Sequence, residues 1–480
     1  MRVVLLSLTV VFSWLAATGQ GNYVAGGNEF VSFGTTSLST AGSNGWSTER
    51  SGTPGYFSIY GAGLYSNATD AANINGYVKY YCTTAGQGFT FPVGTGADIR
   101  ALTVGGTIAS GSVFATAWIA GDPSSVTDPT DAALHPVNSK GAGIAAVSTT
   151  GQWDWQDISS NATGTTVSVS IPDMSSFAHT SFLRLVGWNG TQWINLSATQ
   201  GTGAANGNGE NNVLTGTMVA GITAIGIGKA EAAHVVTKVF LQGAMSGGSM
   251  TTTLRNLNII PLSQPYSGAP WNYAGVETVA SIPANVTDWV LVELRDAVTP
   301  SVVYSTRAAF VKNDGSVVDM DGVSPVSFND TVPSIANPLV AGNYHIVIKH
   351  RNHLPVRTPA AQFLSKSSSL YDFTAAQSAA YQDGAITANA AMKDMGGSVY
   401  AMWAGNVNAN TTVRYSGLAN DLTALLSVLG GSQSTILTNV YSNADINMNG
   451  VVRYSGLNND NTFLLSVLGG NQAAIFSQHQ

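Results

Sequence analysis

Short apolar and alternating stretches, separated by clusters of Gly, Asn, Ser and Thr, fill the region from residue 20 to residue 230. The clearest of them are residues 88–93, 99–104, 113–119, 166–171, 182–188 and 192–196. Short strands with turn residues between them are typical of an all-β domain, and we expect antiparallel sheets. Asn189 and Gly190 favour a tight hairpin turn, with Trp188 and Trp193 on either side. The Gly and Asn content of residues 201–212 predicts a flexible loop.

A second β-region follows over residues 234–358. Two of its stretches, 289–295 and 344–349, alternate between apolar and polar residues. The apolar residues that share a face are Val290, Val292 and Leu294 in the first stretch, and Tyr344, Ile346 and Ile348 in the second. This alternation predicts β-sandwich strands with their polar face in water. Residues 359–397 are rich in Ala, Ser and Gln, and we expect an irregular or partly helical connector there.

Residues 406–431 and 445–470 align without a gap and repeat long identical strings, such as Val-Arg-Tyr-Ser-Gly-Leu. Such a repeat indicates a duplicated unit whose two copies pack on each other. In the second copy the spacing of Phe463, Leu464 and Val467 predicts a short helix that ends at Gly469. So short a helix is not stable alone in water, and its apolar face therefore needs the other copy.

Each copy opens with oxygen-bearing side chains at every second position. They are Asn406, Asn408 and Asn410 in the first copy, and Asp445, Asn447 and Asn449 in the second. In the second copy Gly450 follows, which completes the first half of a calcium loop. The twelfth position of this loop is Gly456, which has no side-chain oxygen, and the next carboxylate is Asp460. The alternative interpretation is a pair of Asx-rich turns that cap two helices without a metal.

Residues 405–480 resemble dockerin-type calcium repeats, in a longer-looped form found at the C-termini of secreted proteins of Bacteroidota. The resemblance implies Ca²⁺ as cofactor and a small α-helical domain over residues 398–480. The ligands that it implies are Asp445, Asn447, Asn449, the carbonyl of Val451 and Asp460, and in the first copy Asn406, Asn408, Asn410, the carbonyl of Thr412 and Asp421. Because carboxylates are few, we expect weak affinity, on the order of 0.1–1 mM.

Residues 260–273 and 350–355 resemble the sandwich module that precedes such repeats in Bacteroidota surface proteins, some of them haemagglutinin-like. This resemblance implies an architecture and no catalytic residues.

The N-terminal sequence predicts export. Arg2 precedes an apolar run from Val3 to Ala17, and the small residues that follow predict a signal peptide over residues 1–19. No later run reaches the 18 apolar residues of a membrane helix, so we expect no transmembrane segment. The net charge of −7 without a basic run argues against nucleic acid as a partner. Since Cys82 is the only cysteine, no intrachain disulfide can form.

Three kinds of candidate site have a plain structural interpretation beside the functional one. His345, His350 and His353 lie close in sequence, but without a neighbouring carboxylate or cysteine they favour hydrogen-bonding strand ends over a zinc site. The tryptophans that could stack on sugars, and that we expect to be packing residues instead, are Trp118, Trp153, Trp155, Trp188 and Trp193. The sequence lacks the G-x-S-x-G, H-E-x-x-H and G-x-G-x-x-G motifs, and we expect no enzyme.

The sequence therefore predicts a mainly all-β protein, with tandem β-sandwich-like domains followed by a small α-helical domain of dockerin-like calcium loops. We expect a non-enzymatic, secreted, cell-surface or matrix protein with an adhesive or structural role. Two alternatives remain open: a carbohydrate-binding or polysaccharide-degrading extracellular protein, and a self-assembling surface filament or lattice subunit. The partners that these functions imply are calcium, a surface glycan or protein, and further copies of the chain.

Overall fold

The computed structural model describes residues 22–38, 45–170, 172, 174–197, 213–331 and 337–480. The predicted signal peptide and the predicted flexible loop over residues 201–212 lie outside them. The described chain is mainly β, and none of its helices is long and apolar enough to cross a membrane. Two compact units divide the chain, Met1–Lys229 and Ala230–Gln480.

The described strands of the first unit are short. They are β1 (Asn22–Val24), β2 (Glu29–Ser32), β3 (Thr35–Ser37), β4 (Trp46–Thr48), β5 (Tyr56–Tyr60), β6 (Leu64–Ser66), β7 (Ile74–Asn75), β8 (Tyr77–Tyr81), β9 (Phe89–Phe91), β10 (Leu102–Gly105), β11 (Val113–Ala120), β12 (Ile144–Val147), β13 (Gly151–Asp157), β14 (Thr166–Ser170), β15 (Leu183–Trp188), β16 (Trp193–Asn195), β17 (Val213–Thr217) and β18 (Ala224–Ala230), with a 3₁₀ turn at Thr180–Phe182.

The first strands of this unit are stacked in parallel, so the expectation of antiparallel sheets is wrong for residues 22–81. Three rows form, β1-β4-β7, β2-β5-β8 and β3-β6, and every pairing within them is parallel. Successive strands enter different rows, as in a β-solenoid, instead of folding back on each other. Alternation shows that a strand has two unlike faces, but it carries no information on the direction of the neighbouring strand.

From β8 onwards the large sheet is antiparallel, in the order β8-β11-β13-β18-β15-β16. The predicted hairpin is confirmed, since Trp188 of β15 lies opposite Trp193 of β16. A second sheet, β17-β14-β10-β9, contacts the large sheet through Phe91, whose ring lies 6.3 Å from that of Trp155.

The tryptophans of the first unit are core residues, as expected. Trp118, Trp153, Trp155, Trp188 and Trp193 are each exposed by 5% or less. The indole nitrogen of Trp153 donates to the carbonyl of Arg100 at 2.6 Å. These rings are therefore not available as a platform for sugars. Cys82 is also buried.

The second unit contains the remaining described elements. Its strands are β19 (His234–Val235), β20 (Thr237–Lys238), β21 (Met245–Ser246), β22 (Ser249–Met250), β23 (Val286–Asp296), β24 (Val303–Lys312), β25 (Ser316–Val318), β26 (Val326–Ser327), β27 (Gly342–His350), β28 (His353–Arg357), β29 (Gln362–Leu364), β30 (Tyr371–Asp372), β31 (Lys393–Gly396), β32 (Val399–Ala401), β33 (Thr412–Arg414), β34 (Ile436–Thr438), β35 (Val451–Arg453) and β36 (Ile475–Ser477). Its helices are α1 (Thr253–Asn256), α2 (Asp421–Val428) and α3 (Asp460–Val467), with 3₁₀ turns at Gln242–Ala244 and Gln377–Ala379.

The main sheet of this unit has the order β28-β27-β23-β24-β25-β20-β30, and β29 also pairs with β27. The predicted apolar faces are confirmed, because Val292 lies opposite Ile348 and Leu294 opposite Ile346, all fully buried. Residues 359–397, expected as an irregular connector, contribute β29 and β30 to this sheet.

The polar face of β23 is not in water, contrary to expectation. Glu293 and Arg295 are exposed by only 6% and 8%. Trp289 on the same face donates from its indole nitrogen to the carbonyl of Pro261 at 2.9 Å, and Arg295 donates to the side chain of Gln480 at 3.1 Å. Residues from before the sheet and from the end of the chain therefore cover this face.

The two copies of the C-terminal repeat pack on each other and exchange strands. β33 of the first copy pairs with β36 at the end of the second, and β35 of the second pairs with β34 at the end of the first. The registers are equivalent, since Arg414 lies opposite Ile475 and Arg453 opposite Ile436. Leu425 of α2 and Leu464 of α3 are fully buried in one shared core. The copies are thus related by an approximate twofold axis, and the predicted short helices are present as α2 and α3.

Candidate functional site

Asparagines, not the predicted aspartate ligands, cap the two repeat helices. Asn420 accepts a hydrogen bond from the main-chain N–H of Thr423 at 2.7 Å, and Asn459 accepts one from Thr462 at the same distance. Both asparagines are extended N-cap residues. The carboxylates that follow, Asp421 and Asp460, are therefore not needed as caps and turn into the loops that precede the helices.

Asp460 closes the second loop, residues 445–460, which we call loop 2. Its Oδ1 accepts from the main-chain N–H of Ile446 at 2.8 Å, and its Oδ2 accepts from that of Arg453 at 3.0 Å. Asp445, at the start of loop 2, accepts from the N–H groups of Asn449 and Gly450 at 3.0 and 2.8 Å. The first and last carboxylates of the predicted ligand set are thus brought to the same loop interior.

The two asparagines of loop 2 differ in how their amides are used. Asn449 accepts from the N–H of Val451 at 2.8 Å. Asn447 donates to the carbonyl of Asn458 at 2.9 Å, but its Oδ1 is buried without a hydrogen-bond partner among the described residues. Val451 is the first residue of β35. A buried acceptor without a donor is unfavourable, and a cation would satisfy it.

Residues 406–421, which we call loop 1, repeat this arrangement with one fewer carboxylate. Asp421 accepts from the N–H groups of Val407 and Arg414, both at 2.8 Å. Asn406 stands where loop 2 has Asp445; it donates to the carbonyl of Asn410 at 2.8 Å, and its Oδ1 is buried and unpartnered within the described chain. The remaining predicted ligands make local contacts, as Asn408 donates to the carbonyl of Ala419 and Asn410 accepts from the N–H of Thr412.

Burial makes the three loop carboxylates costly to ionise. Asp421, Asp445 and Asp460 are fully buried. Desolvation raises the pKa of Asp421 and of Asp460 to about 7, and that of Asp445 to about 6, where the charge of Arg351 works in the opposite direction. The charge of Asp445 further raises the pKa of Asp460.

The donor set of the loops fits Ca²⁺. Within the described part of the chain, none of the three carboxylates makes an ion pair. Carboxylate, amide and main-chain oxygens are the ligands that calcium prefers. A divalent cation would compensate the buried charges and occupy the unpartnered amide oxygens, so the residues present suit the ion that the sequence implies.

Loop 2 is fastened to the main sheet by a buried polar cluster around Asp288. Tyr441, just before loop 2, donates to Asp288 Oδ1 at 2.7 Å, and Arg351 donates to Oδ2 at 3.0 Å. Arg351 also donates to the carbonyl of Ser442. Burial would raise the pKa of Asp288, but Arg351, His350 and Tyr441 outweigh it and lower the pKa to about 2.

His350 and His353 are hydrogen-bonding residues at strand ends, as expected, whereas His345 lies inside β27. His350 contacts Asp288 through Nε2 at 3.1 Å and His353 through Nδ1 at 2.8 Å, while His353 Nε2 accepts from the N–H of Gly243 at 3.1 Å. His345 bonds the carbonyl of Thr358 at 3.0 Å. Because His353 Nε2 accepts from an N–H group, this ring is neutral.

A second cluster, not expected from the sequence, lies in the first unit, where Asp128 and His135 are buried and Asp131 is exposed. Potential ligand atoms of Asp128, Asp131 and His135 lie within 4.8 Å of one another. His135 bridges Asp131 and Gln152, both at 2.9 Å, and Asp128 accepts from Gln152 at 3.1 Å. The only signal in the sequence was the spacing of these three residues within eight positions. The hydrogen bonds account for the cluster as a structural network.

Comparison of the chain with protein-family models, with curated proteins and with solved structures found no match.

Proposed function

We propose that this is a non-enzymatic, secreted, cell-surface or matrix protein with an adhesive or structural role, whose C-terminal repeats bind calcium. The observation that carries the calcium proposal is the buried pair Asp445 and Asp460 of loop 2, neither of which makes an ion pair with a described residue. The same loop holds the buried Oδ1 of Asn447, which has no hydrogen-bond partner among those residues. Export and surface location are supported by the N-terminal sequence and by the resemblance of the repeats.

In this proposal Asp445, Asn447, Asn449, the carbonyl of Val451 and Asp460 hold the ion in loop 2. Loop 1 uses Asn406, Asn408, Asn410, the carbonyl of Thr412 and Asp421, and binds more weakly because it has one carboxylate. The ion supplies positive charge to buried carboxylates whose hydrogen bonds come from main-chain N–H groups. Since only the folded loops present these oxygens together, binding stabilises the folded repeats, by about 1.4 kcal/mol per loop at tenfold excess over Kd.

The cluster around Asp288 connects loop 2 to the main sheet, so stabilisation of loop 2 by calcium would extend to the rest of the second unit. Tyr441, Ser442 and the main chain of Asp445 are all hydrogen-bonded to residues of the main sheet or its β27–β28 turn. A loop 2 held by calcium would therefore also hold the turn against which it packs. In this proposal, calcium binding to the repeats therefore also stabilises the main sheet of the second unit at its β27–β28 turn.

The test is a pair of thermal melts and calorimetric titrations on the chain from residue 20 onwards. Millimolar calcium should raise Tm relative to chelator, and calorimetry should show two ions per chain. Asp460→Ala and Asp421→Ala should each remove one ion and reduce the calcium-induced shift, with the larger reduction for Asp460→Ala. Asp394→Ala, a change in an exposed hairpin turn, is the matched control and should keep both ions.

Each aspartate also accepts main-chain hydrogen bonds, so its removal lowers Tm with or without calcium. The difference in Tm between calcium and chelator is therefore the quantity that reports ion binding. If wild-type protein shows no shift and no heat at millimolar calcium, the loops are metal-free caps and the proposal fails.

A further inference from the structure

A cleft of about 510 Å³ opens in the second unit, beside loop 1. We group its lining residues by their place in the chain. Residues 270–274 are called the first wall. Residues of the main sheet and its β27–β28 turn are called the floor: Leu291, Glu293, Thr306, Lys349, His350, His353 and Pro355. Residues of loop 1 and the last strand region are called the second wall: Asn406, Ala409, Asn410, Thr411, Gln478 and Gln480. Its size lies in the range of small-ligand pockets, about 300–1,000 Å³.

Two aromatic side chains form the first wall. Trp271 is half-buried, and its ring packs edge-to-face on the buried ring of Tyr266, with centroids 5.3 Å apart. Tyr273 is fixed by a hydrogen bond of 2.5 Å from its hydroxyl to Glu277. These contacts hold both rings in place while they line the cleft. Fixed, partly exposed aromatic rings bind the flat, C–H-bearing faces of sugar rings at little cost in side-chain entropy.

The charges that line the cleft cancel. Glu293 accepts hydrogen bonds from Arg295 at 2.8 Å and from Lys349, so its carboxylate is already paired twice. His353 is neutral, and burial lowers the pKa of His350. Among the lining residues, the two charged side chains therefore pair with each other, and no unpaired carboxylate is left to bind a cation.

The other polar groups are amides and hydroxyls, which both donate and accept. They belong to Asn272, Thr306, Asn406, Asn410, Thr411, Gln478 and Gln480. Sugar hydroxyls also donate and accept at once, so they match such a lining better than carboxylates, phosphates or ammonium groups do.

Gln480 points to a missing partner. Its Oε1 accepts from Arg295 at 3.1 Å, whereas its Nε2 is buried and makes no hydrogen bond within the described residues. A buried donor without an acceptor is rare in folded proteins. Because Gln480 lines the cleft, a rotation of its terminal amide would bring this donor to a ligand hydroxyl, which would supply the acceptor.

We propose that this cleft binds a neutral saccharide, which stacks on Trp271 and hydrogen-bonds to the amides of the second wall. The proposal goes beyond the calcium loops, although loop 1 supplies part of that wall. It names a class of ligand for the proposed adhesive role, bound within the second unit.

The experiment uses the chain from residue 20 onwards and a panel of neutral oligosaccharides of glucose, galactose, mannose and N-acetylglucosamine at millimolar concentration. Saturation-transfer NMR and tryptophan fluorescence are recorded both in calcium and in chelator. We expect binding to at least one neutral sugar. Trp271→Ala should weaken it roughly tenfold, the loss of one stacking contact, and Trp271→Phe should restore part of the loss. Tyr60→Ala, an exposed aromatic of the first unit, should leave binding unchanged.

Thr306→Val is a second variant, which keeps the side-chain shape at a half-buried position and removes the hydroxyl, and it should also weaken binding; its Tm shows that it is folded. No binding to any neutral sugar in either buffer overturns the proposal, whatever calcium does to Tm. Preferential binding of an acidic oligosaccharide or of a peptide, or binding that is unchanged in both Trp271→Ala and Thr306→Val, overturns it as well. Calcium heat without sugar binding leaves the loop proposal standing alone.

Discussion

The side-chain nitrogen of Asn352 donates a hydrogen bond of 2.8 Å to the main-chain carbonyl of Asp445. The same nitrogen reaches the carbonyl of Asn443 at 3.1 Å, and Asn352 is fully buried. One asparagine in the turn between β27 and β28 therefore fixes the point at which loop 2 begins.

Replacing this asparagine should loosen loop 2. Asn352→Ala leaves two buried carbonyls without their donor, and we expect it to lower the free energy of unfolding by about 1–3 kcal/mol. Calcium affinity of loop 2 should fall as well, because Asp445 loses its anchor. Chemical denaturation and calorimetry measure the two effects. The control is Asn256→Ala, whose amide makes only a local, exposed contact to Thr252; equal losses in both variants would contradict the anchoring role.

The hydroxyl of Tyr441 should contribute far more to the free energy of unfolding than a similar hydroxyl at the surface. Tyr441→Phe removes a hydrogen bond to the fully buried carboxylate of Asp288. Hydrogen bonds to charged groups contribute about 1.5–3 kcal/mol, and we expect a loss in that range. Tyr304→Phe removes the same type of bond to Asp296 in an exposed pair and should cost much less. Denaturant titration of both variants gives the comparison, and the prediction fails if Tyr304→Phe costs as much.

The strand exchange predicts that the last strand supports the first repeat. Phe476 of β36 lies opposite Val413 and packs on Trp403, with ring centroids 4.6 Å apart. Phe476→Ala should destabilise the repeats by about 2 kcal/mol, less than for a fully buried phenylalanine because this ring is half-buried.

Ile475→Ala, one residue away on the exposed side of the strand, is the matched control for Phe476→Ala and should change stability little. Hydrogen exchange of residues 412–414 should rise in Phe476→Ala alone. Unchanged exchange there would contradict the cross-pairing.

A pH dependence follows from two buried carboxyl groups of the first unit. Asp128 and Asp154 are fully buried, and the Thr130 hydroxyl donates to Asp154 at 2.8 Å and to Asp128 at 3.3 Å. Burial raises the pKa of both, that of Asp154 to about 8, and the charge of Asp128 contributes. The folded chain thus holds more protons than the unfolded chain between about pH 4 and pH 8. Stability from this pair is fully present below about pH 4 and is lost as the pH rises towards 8.

Asp154→Asn isolates this effect, because an amide resembles the protonated carboxyl at every pH. Unfolding free energies measured in chelator from about pH 5 to about pH 9 should fall less steeply for the variant than for wild type. The buried carboxylates of the calcium loops titrate equally in both proteins. Parallel curves would show that the pair does not hold an extra proton.

Some features of this structure could be predicted from the sequence, because they are determined by residues that are close together in the chain. The repeat, the short helices and the N-terminal half of each loop are patterns of neighbouring residues, and so is the hairpin between Trp188 and Trp193. The Val292 and Leu294 face of β23 also followed from alternation. Each of these depends on residues within one turn or one strand.

The other features of the structure could not be predicted, because they depend on which distant segments of the chain contact each other. The parallel stacking of β2 on β5, the burial of Glu293 and the crossing of β33 with β36 are contacts between residues distant in sequence. The cleft beside Trp271 is another such meeting, because its walls come from three separated segments. The Asp128 cluster was not predicted, because its partner Gln152 lies on β13 whereas the acidic residues lie in the connection between β11 and β12.

The crossed pairing of β33 with β36 and of β34 with β35 sets a limit on how this end of the chain can be lengthened. The last strand of each copy pairs with the other copy, so two copies satisfy each other's strands. A third copy would add a strand that has no pairing partner. The parallel rows at the start of the first unit have the opposite property, since β2 and β5 stack by translation and a further coil could be added. The number of repeat copies is therefore limited to two by strand pairing, whereas the number of parallel coils in the first unit has no such limit. Variation in length among proteins built this way should accumulate in the coils and not in the repeats.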